Sequence, residues 1–242
     1  MTPYYQDSLV KLYHGDCREL IPSIAYVSGL DTSVPIDCVI TDPPYNVRSR
    51  DIVLDGRSPM KRDFGVWDEG WSAAEFLGQI EPVLRSGGSV LSFTSDRLLS
   101  EFRTFDGLNP RGTIVWEKLN PAPHPRPSYV SATEWIVWLV KPGRAAVWNW
   151  GGYTPNILRH AICSGNDRTE HPTQKPEALL LELIEGHTNA GELILDPYTG
   201  SGTTGVAAKR LGRKFIGIEI SEAYCEIAAS RLAQGSLSEM FQ

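Results

Sequence analysis

The sequence predicts an α/β fold: a doubly wound, mostly parallel sheet covered by helices on both faces, with one antiparallel hairpin. Short apolar, β-branched segments alternate with amphipathic segments along the chain, which is the pattern of strands joined by covering helices. The segments TIVWEK and TEWIVWLV break this alternation, because only a proline-rich loop separates them, and they are expected to pair antiparallel. A length of 242 residues suits a single domain, 1–242.

The individual elements follow from hydrophobic periodicity and from capping residues. Strands are predicted at 9–14, 36–41, 89–94, 113–118, 134–140, 192–196 and 214–220. Helices are predicted at 18–26, 72–85, 96–105, 176–187, 202–211 and 221–234. Gly87 and Gly88 are expected to end the second of these helices.

Two segments, 46–70 and 143–172, contain no predicted element. Connections in compact domains have a median length of about 4–6 residues, so segments of this length are commonly functional. A plain surface insertion is the alternative interpretation.

Composition argues against several classes of protein. No run approaches the ~20 apolar residues that span a bilayer, and the start MTPYYQDS lacks the blocks of a secretion signal, so the cytoplasm is the expected location. The four cysteines form no CxxC pair and the five histidines show no ligand spacing, so neither a disulfide framework nor a catalytic metal is predicted. The net charge of −6 argues against indiscriminate coating of nucleic acid, although segment 48–62 is locally basic.

The motif TDPPYN places an acid, two prolines and a tyrosine at the end of the predicted strand 36–41. Proline fixes φ at about −65° and has no N–H, so the motif is stiff and cannot extend the ladder of the sheet. The carboxylate of Asp42 and the carbonyl of Pro43 are then available as hydrogen-bond acceptors. A turn-forming acid and a core aromatic are the alternative interpretation, which the adjacency of Asp42, Pro43, Pro44 and Tyr45 disfavours.

A glycine motif, GxGxxG, follows the predicted strand 192–196 and is formed by Gly200, Gly202 and Gly205. Taken alone, it also fits the phosphate loop of a nicotinamide-dependent oxidoreductase. Asp196 weighs against that alternative, because a carboxylate at the turn would repel a pyrophosphate and attract an ammonium group. S-adenosylmethionine carries an ammonium group and no phosphate, and Glu219 at the next strand end is suited to accept hydrogen bonds from two ribose hydroxyls.

These motifs and their order resemble the amino-directed DNA methyltransferases in the circularly permuted arrangement called the β class. In that family a catalytic DPPY lies near the N-terminus, and a cofactor signature, D-P-F-x-G-S-G-T-T, lies near the C-terminus. Here the second motif reads DPYTGSGTT, with Tyr198 in place of the phenylalanine. LYHGDC, HPTQKP and the central segments match in order as well, so the resemblance covers nearly the whole chain. It implies the Rossmann-like fold of the class I methyltransferases that use S-adenosylmethionine.

The resemblance also implies roles for individual residues. It indicates that Asp16 contacts the adenine of the cofactor and that HPTQKP closes the pocket around the methionine end. The cofactor-binding candidates are Asp16, Cys17, Thr173, Gln174, Lys175, Asp196, Tyr198, Gly200, Ser201, Gly202, Thr203, Thr204, Glu219 and Ile220. The catalytic candidates are Asp42, Pro43, Pro44 and Tyr45.

The implied reaction is methyl transfer to the exocyclic amine of a DNA base. The lone pair of this amine is delocalised into the ring, and acceptors at Asp42 and the Pro43 carbonyl would draw the nitrogen toward tetrahedral geometry. The base must leave the duplex to reach them, and Tyr45 is expected to stack on it. No covalent enzyme intermediate, and hence no nucleophilic cysteine, is expected.

The sequence gives less information about the target base and the binding partners than about the reaction. In the resembling family an aspartate at the first motif position usually accompanies adenine, so Asp42 favours N6-adenine, with N4-cytosine as the alternative. Segments 46–70 and 143–172 are expected to face double-stranded DNA. The resemblance suggests that the protein forms a homodimer and that a restriction enzyme is a further partner. A nicotinamide-dependent oxidoreductase and a catalytically dead DNA-binding regulator are the alternatives from other classes.

Overall fold

A computed structural model describes residues 2–27, 35–44, 71–123 and 129–239. The strands in this part of the chain are β1 (Tyr5–Gln6), β2 (Val10–His14), β3 (Ile36–Thr41), β4 (Leu84–Thr94), β5 (Asn109–Lys118), β6 (Thr133–Val140), β7 (Ile157–His160), β8 (Leu193–Asp196) and β9 (Lys214–Glu219). The helices are α1 (Cys17–Val27), α2 (Ala73–Val83), α3 (Leu99–Arg103), α4 (Glu177–His187), α5 (Thr203–Arg210) and α6 (Glu222–Glu239). Among these helices, none combines the length and hydrophobicity that crossing a membrane requires.

The described strands form one nine-stranded sheet in the order β1-β2-β9-β8-β3-β4-β6-β5-β7. Within the run β2-β9-β8-β3-β4, adjacent strands are parallel to each other. β6 runs antiparallel to β4 and β5, and the short β1 runs antiparallel to β2. The antiparallel pairing predicted for TIVWEK and TEWIVWLV is therefore confirmed.

Helices cover both faces of the sheet because successive residues of a strand point to opposite sides. On β3, Cys38 and Ile40 belong to an apolar cluster that includes Leu183 of α4. Val39, between them, belongs to a second cluster that includes Ile80 of α2. All three β3 residues are fully buried, which confirms the predicted doubly wound arrangement.

One predicted helix end is wrong. Gly87 and Gly88 lie inside β4 and do not end α2, which stops at Val83, and Leu84 already has extended backbone. Gly87 has a φ of 76°, and a Cβ there would lie 2.8 Å from the carbonyl oxygen of Ala145. The glycine therefore allows a close approach between the backbone of β4 and the loop that follows β6. The start of β4 is also irregular in its pairing with β3.

Two observed strands have no counterpart among the predicted ones. β1 has two residues and carries too little pattern to be recognised. β7 lies within the segment 143–172 and pairs parallel with β5, with Leu158 buried. That segment is therefore more than a surface loop, whereas the other unassigned segment, 46–70, lies outside the described residues.

Candidate active site

The ends of β3 and β8 meet in one crevice. The two strands are parallel neighbours, with Cys38 opposite Ile194 and Val39 opposite Leu195. After β3 the chain continues to β4 on one side, and after β8 it continues to β9 on the other, so this is the switch point where α/β sheets bind ligands. The hydroxyl of Thr41 donates a hydrogen bond of 2.7 Å to Asp196 Oδ1. The two acid-bearing motifs are thus in direct contact.

A cavity of about 310 Å³ opens at this edge of the sheet, and most of the predicted site residues line it. Those that do are Asp16, Cys17, Asp42, Pro44, Thr173, Gln174, Lys175, Asp196, Tyr198, Gly200, Ser201, Thr203, Thr204, Glu219 and Ile220. Pro43 and Gly202 do not contribute to the lining. Tyr45 lies outside the described residues.

The glycine turn between β8 and α5 is built from residues that have no room for a side chain. Gly200 has a φ of 53°, and a Cβ there would lie 2.9 Å from the imidazole of His171. Gly202 has a φ of 79° and precedes the first residue of α5; a Cβ there would lie 2.9 Å from that of Ala228. The motif is therefore required by backbone conformation and close packing.

Asp196 is buried at the base of the cavity, with 3% of its surface exposed. Burial raises the pKa of this carboxyl to about 6, and hydrogen bonds from Thr204, Thr41 and the Tyr198 backbone oppose the rise. A cationic partner would stabilise a carboxylate in this position more strongly than one at the surface, because little solvent screens the attraction.

Glu219, at the end of β9, links two parts of the site. Its carboxylate accepts hydrogen bonds from the backbone N–H of Gly200 at 2.8 Å and of Ser221 at 2.9 Å. Burial raises the pKa of Glu219, against the effect of these backbone donors. Each oxygen retains a further lone pair, so the carboxylate can hold the glycine turn and still accept a hydrogen bond from a ligand.

Asp16 and Cys17 approach the cavity from the other side, where α1 begins. Asp16 forms an ion pair with Arg18, and hydrogen bonds from Arg18 lower the pKa of the Asp16 carboxyl. Cys17 is buried, and burial raises the pKa of its thiol. Asp16 is therefore ionised and Cys17 remains a thiol at neutral pH.

Tyr198 anchors the wall of the cavity through the hydroxyl group that a phenylalanine would lack. The indole N–H of Trp71 donates a hydrogen bond of 2.8 Å to this hydroxyl. The Trp71 ring also packs against Phe76 and Phe102, with centroid separations of 5.8 and 5.9 Å. Burial raises the pKa of Tyr198, so the hydroxyl stays protonated.

HPTQKP precedes α4 and contributes to the site in two ways. Gln174 accepts hydrogen bonds from the backbone and hydroxyl of Thr169 and donates to the Asp167 carbonyl, which fixes the local chain. Lys175 directs its ammonium group to the carboxylate of Asp42. The predicted cofactor roles of these residues stay predictions, and one of the contacts of Lys175 is with the catalytic candidate Asp42.

Several residues of the site were not identified by sequence reasoning. Arg231 of α6 donates hydrogen bonds to the carbonyl oxygen of Ser201 at 2.6 Å and to the Thr203 hydroxyl at 2.8 Å. Glu134 of β6 lies 3.4 Å from the Lys175 ammonium. Glu134 carries a weak signal, a charged residue within an apolar strand, whereas the position of Arg231 on its helix carries none.

Comparison with known proteins places this architecture among enzymes that modify DNA. Residues 36–230 match the family described as DNA methylase. The chain is 32% identical over 261 residues to the Type II methyltransferase M2.DpnII of Streptococcus pneumoniae, across 95% of this chain and 92% of that protein. The crystal structure of the M1.HpyAVI–SAM complex superposes with a TM-score of 0.74 at 32% identity, over 93% of this chain and 99% of that one. PvuII DNA methyltransferase, named as cytosine-N4-specific, shares the fold with a TM-score of 0.71 at 21% identity, over 95% of this chain and 88% of that one.

Proposed function

The chain belongs to the N6/N4 DNA methylase family, and from this premise we propose that it transfers the methyl group of S-adenosylmethionine to the N6 amine of adenine in DNA. The observation that carries the proposal is the hydrogen bond from Thr41 to Asp196, which holds the two motifs together in one crevice. Methyl donor and target amine would then meet at the same strand ends. The chain is a site-specific DNA methyltransferase.

The residues of the crevice fit S-adenosylmethionine. Asp16, Asp196 and Glu219 supply three carboxylates, which suit an ammonium group, a sulfonium and ribose hydroxyls and would repel a pyrophosphate. The cavity volume, about 310 Å³, is at the lower end of the ~300–1,000 Å³ typical of small-molecule sites. A nicotinamide-dependent oxidoreductase, the alternative, would account for only two of these features, the glycine turn and Glu219.

The proposed chemistry assigns two acceptors to the target amine. Asp16, Asp196 and Glu219 would hold S-adenosylmethionine, whose sulfonium would supply the methyl group, with the electron pair of the broken S–C bond returning to sulfur as the N–C bond forms. Asp42 and the Pro43 carbonyl each accept one amino hydrogen, which aims the nitrogen lone pair at the methyl group. The nitrogen becomes positively charged and then releases one proton, which Asp42 accepts in this proposal. Positioning of this kind can amount to ~7–11 kcal/mol.

Adenine is proposed as the target because Asp42 occupies the first motif position. Adenine and cytosine both present an amine beside a ring nitrogen, so the same two acceptors can serve either base, and N4-cytosine is the second candidate. Tyr45 is proposed to stack on the flipped base, which contributes roughly 1–3 kcal/mol per base against an unstacking cost of a few kcal/mol.

The placement of two segments supports a DNA-binding face around the cavity. In the sequence, segment 46–70 lies between Pro44 and Trp71, and both of these residues line the cavity. Segment 143–172 contains β7, whose last residue, His160, pairs with Lys118 at the end of β5. We further propose that the protein works in the cytoplasm, associated with the nucleoid through DNA. A homodimer and a restriction enzyme partner remain proposals that light scattering and the neighbouring genes would test.

The decisive experiment identifies the methylated base. Mixed-sequence duplex DNA is incubated with labelled cofactor and digested to nucleosides, and the labelled product is identified by mass. Label in N6-methyladenine is the expected result, and label in N4-methylcytosine would overturn the base assignment alone. Label in 5-methylcytosine would refute the mechanism built on Asp42.

A matched pair of variants tests the mechanism and the alternative of a dead regulator. Asp42→Asn should abolish transfer while labelled cofactor still binds, whereas Asp96→Asn, at an exposed acid after β4, should behave as the wild type. DNA binding by the wild type without any methyl transfer would instead support the regulator.

A further inference from the structure

The ammonium group of Lys175 lies between two carboxylates from different strands. It pairs with Asp42 after β3, and it lies 3.4 Å from Glu134 Oε2 on β6. Between those strands runs β4, and Lys175 Nζ lies 4.9 Å from the ring centroid of Phe93 on that strand. The lysine side chain therefore crosses the carboxyl edge of the sheet, with one acceptor on each side and an aromatic ring below.

Lys175 and Glu134 both keep their charges at neutral pH. Burial alone would lower the pKa of Lys175, but Asp42 and Glu134 outweigh burial and raise it. Burial alone would raise the pKa of Glu134, but Lys175 and Lys118 outweigh burial and lower it. The Lys118 ammonium lies 2.8 Å from Glu134 Oε1. The cluster consists of two cations and two anions close to Asp196, which adds a third carboxylate.

The pairing of Lys175 with Asp42 conflicts with the work proposed for Asp42. A carboxylate whose charge is matched by an ammonium group is a weaker acceptor for the amino hydrogens of a base. The target nitrogen also gains positive charge as the methyl group arrives, and an adjacent ammonium group repels that charge. The conflict disappears if the ammonium group shifts to another acceptor.

Glu134 offers that acceptor. Its Oε2 atom is buried, and at 3.4 Å the Lys175 ammonium forms an ion pair with it but not a well-aligned hydrogen bond. Its other oxygen is already engaged by Lys118. A buried carboxylate oxygen without a well-formed hydrogen bond is unfavourable, so a movement of Lys175 toward it gains an interaction that offsets part of the loss of the pair with Asp42.

We propose that Glu134 is a positioning residue that draws the Lys175 ammonium away from Asp42 when the amino group of the target base reaches that carboxylate. This inference rests on the proposed role of Asp42 and adds a second step to it. Glu134 itself touches neither the base nor the cofactor. Its effect is to leave the negative charge of Asp42 available to the nitrogen that is being methylated.

A double-mutant cycle on Glu134 and Lys175 tests the proposal. Single-turnover methyl transfer is measured at saturating DNA and cofactor for the wild type, Glu134→Gln, Lys175→Met and the double variant, together with the cofactor dissociation constant. Glu134→Gln should slow transfer by about tenfold or more, the effect of ~1.4 kcal/mol on a barrier, with cofactor affinity unchanged. The decisive result is the double variant, which should be faster than Glu134→Gln, because the ammonium group that obstructs Asp42 is gone.

A merely structural role for Glu134 would make the free energies of unfolding of the four proteins follow the same order as their rates, because removing one partner of a buried ion pair costs more than removing both. Urea unfolding is therefore measured alongside, and rates that do not follow stability identify the positioning role. The matched control is Glu117→Gln on β5, whose carboxylate pairs with Arg159 at the surface and which should retain the wild-type rate. A wild-type rate in Glu134→Gln, or a double variant no faster than that single variant, overturns the inference alone. Absence of methyl transfer by the wild type would overturn the proposed function and this inference with it.

Discussion

The indole N–H of Trp71 donates a hydrogen bond to the hydroxyl of Tyr198, across 127 residues of sequence. Tyr198 belongs to the segment DPYTGSGTT, and Trp71 is the first residue after the segment 46–70, so the bond joins two parts of the cavity lining that are far apart in the sequence. A phenylalanine at position 198, as in the resembling family, would leave the Trp71 N–H without this acceptor.

Tyr198→Phe should therefore lower the free energy of unfolding by about 1 kcal/mol, the usual net contribution of a hydrogen bond in a partly buried site. Methyl transfer should persist, because the aromatic ring remains. Urea unfolding of Tyr198→Phe, Trp71→Phe and the double variant would measure the coupling. If the double variant is destabilised by the full sum of the two single effects, the bond contributes nothing.

Arg231→Met should weaken cofactor binding by removing the hydrogen bonds that hold Ser201 and Thr203 in the glycine turn. Hydrogen bonds from charged donors contribute ~1.5–3 kcal/mol, and since the effect on the ligand is indirect, we expect a loss of roughly tenfold. Titration calorimetry would measure it. Arg210→Met, which removes an exposed ion pair with Glu177, is the control and should bind cofactor normally; equal losses in both variants would indicate general destabilisation.

Glu219→Gln should weaken the binding of S-adenosylmethionine by about tenfold or more, because an amide oxygen replaces a charged acceptor and the amide NH₂ cannot accept from Gly200 or Ser221. Glu222→Gln, at an exposed position of α6, is the matched control. Calorimetry gives the dissociation constants, and thermal unfolding without ligand shows how much of the change comes from a loosened turn. An unchanged dissociation constant would remove Glu219 from the cofactor site.

The contribution of His187 to the stability of the protein should be lost as pH decreases from about 6.5 to about 4, whereas Asp196, whose pKa burial raises to about 6, contributes a change of the opposite sign. His187 is buried among Trp138, Trp148 and Trp150, and neither ring nitrogen has a hydrogen-bond partner among the described residues. Burial lowers its pKa to about 4. Below pH ~6.5 the unfolded chain therefore binds a proton at His187 that the folded chain does not bind. The free energy of unfolding decreases by up to about 3 kcal/mol as the pH falls from ~6.5 to the pKa of His187 in the folded protein.

His187→Phe should flatten this dependence, since it removes the titrating group and keeps an aromatic ring in the cluster. Urea unfolding at several pH values compares it with the wild type and with His14→Gln, at an exposed histidine. A residual slope is expected from His171, whose pKa burial also lowers to about 4, with contributions from Lys175 and Arg231. The same slope in His187→Phe and the wild type would contradict the assignment.

Local patterns in the sequence were sufficient to predict most of the elements. The apolar segments that became β3, β8 and β9 were recognised because strands buried on both faces are short and continuously apolar. The end of α2 and the strand β7 were not recognised. Gly87 is required by a close contact with Ala145 and not by a helix end, and buried and exposed residues alternate over only four residues in β7. Such features depend on partners far away in the sequence.

The sequence by itself determined which residue types stand at the strand ends, since a strand that stops at an acid, a proline pair or a glycine turn does so for local backbone reasons. The tertiary structure alone decided which of these ends meet. Thr41 and Asp196 are 155 residues apart, and Lys175 and Asp42 are 133 apart. The order of the strands in the sheet and the length of the side chains bring these pairs together, and local sequence patterns reveal neither. The motifs can therefore be recognised from the sequence, whereas the charge cluster around Asp42 is apparent only in the folded structure.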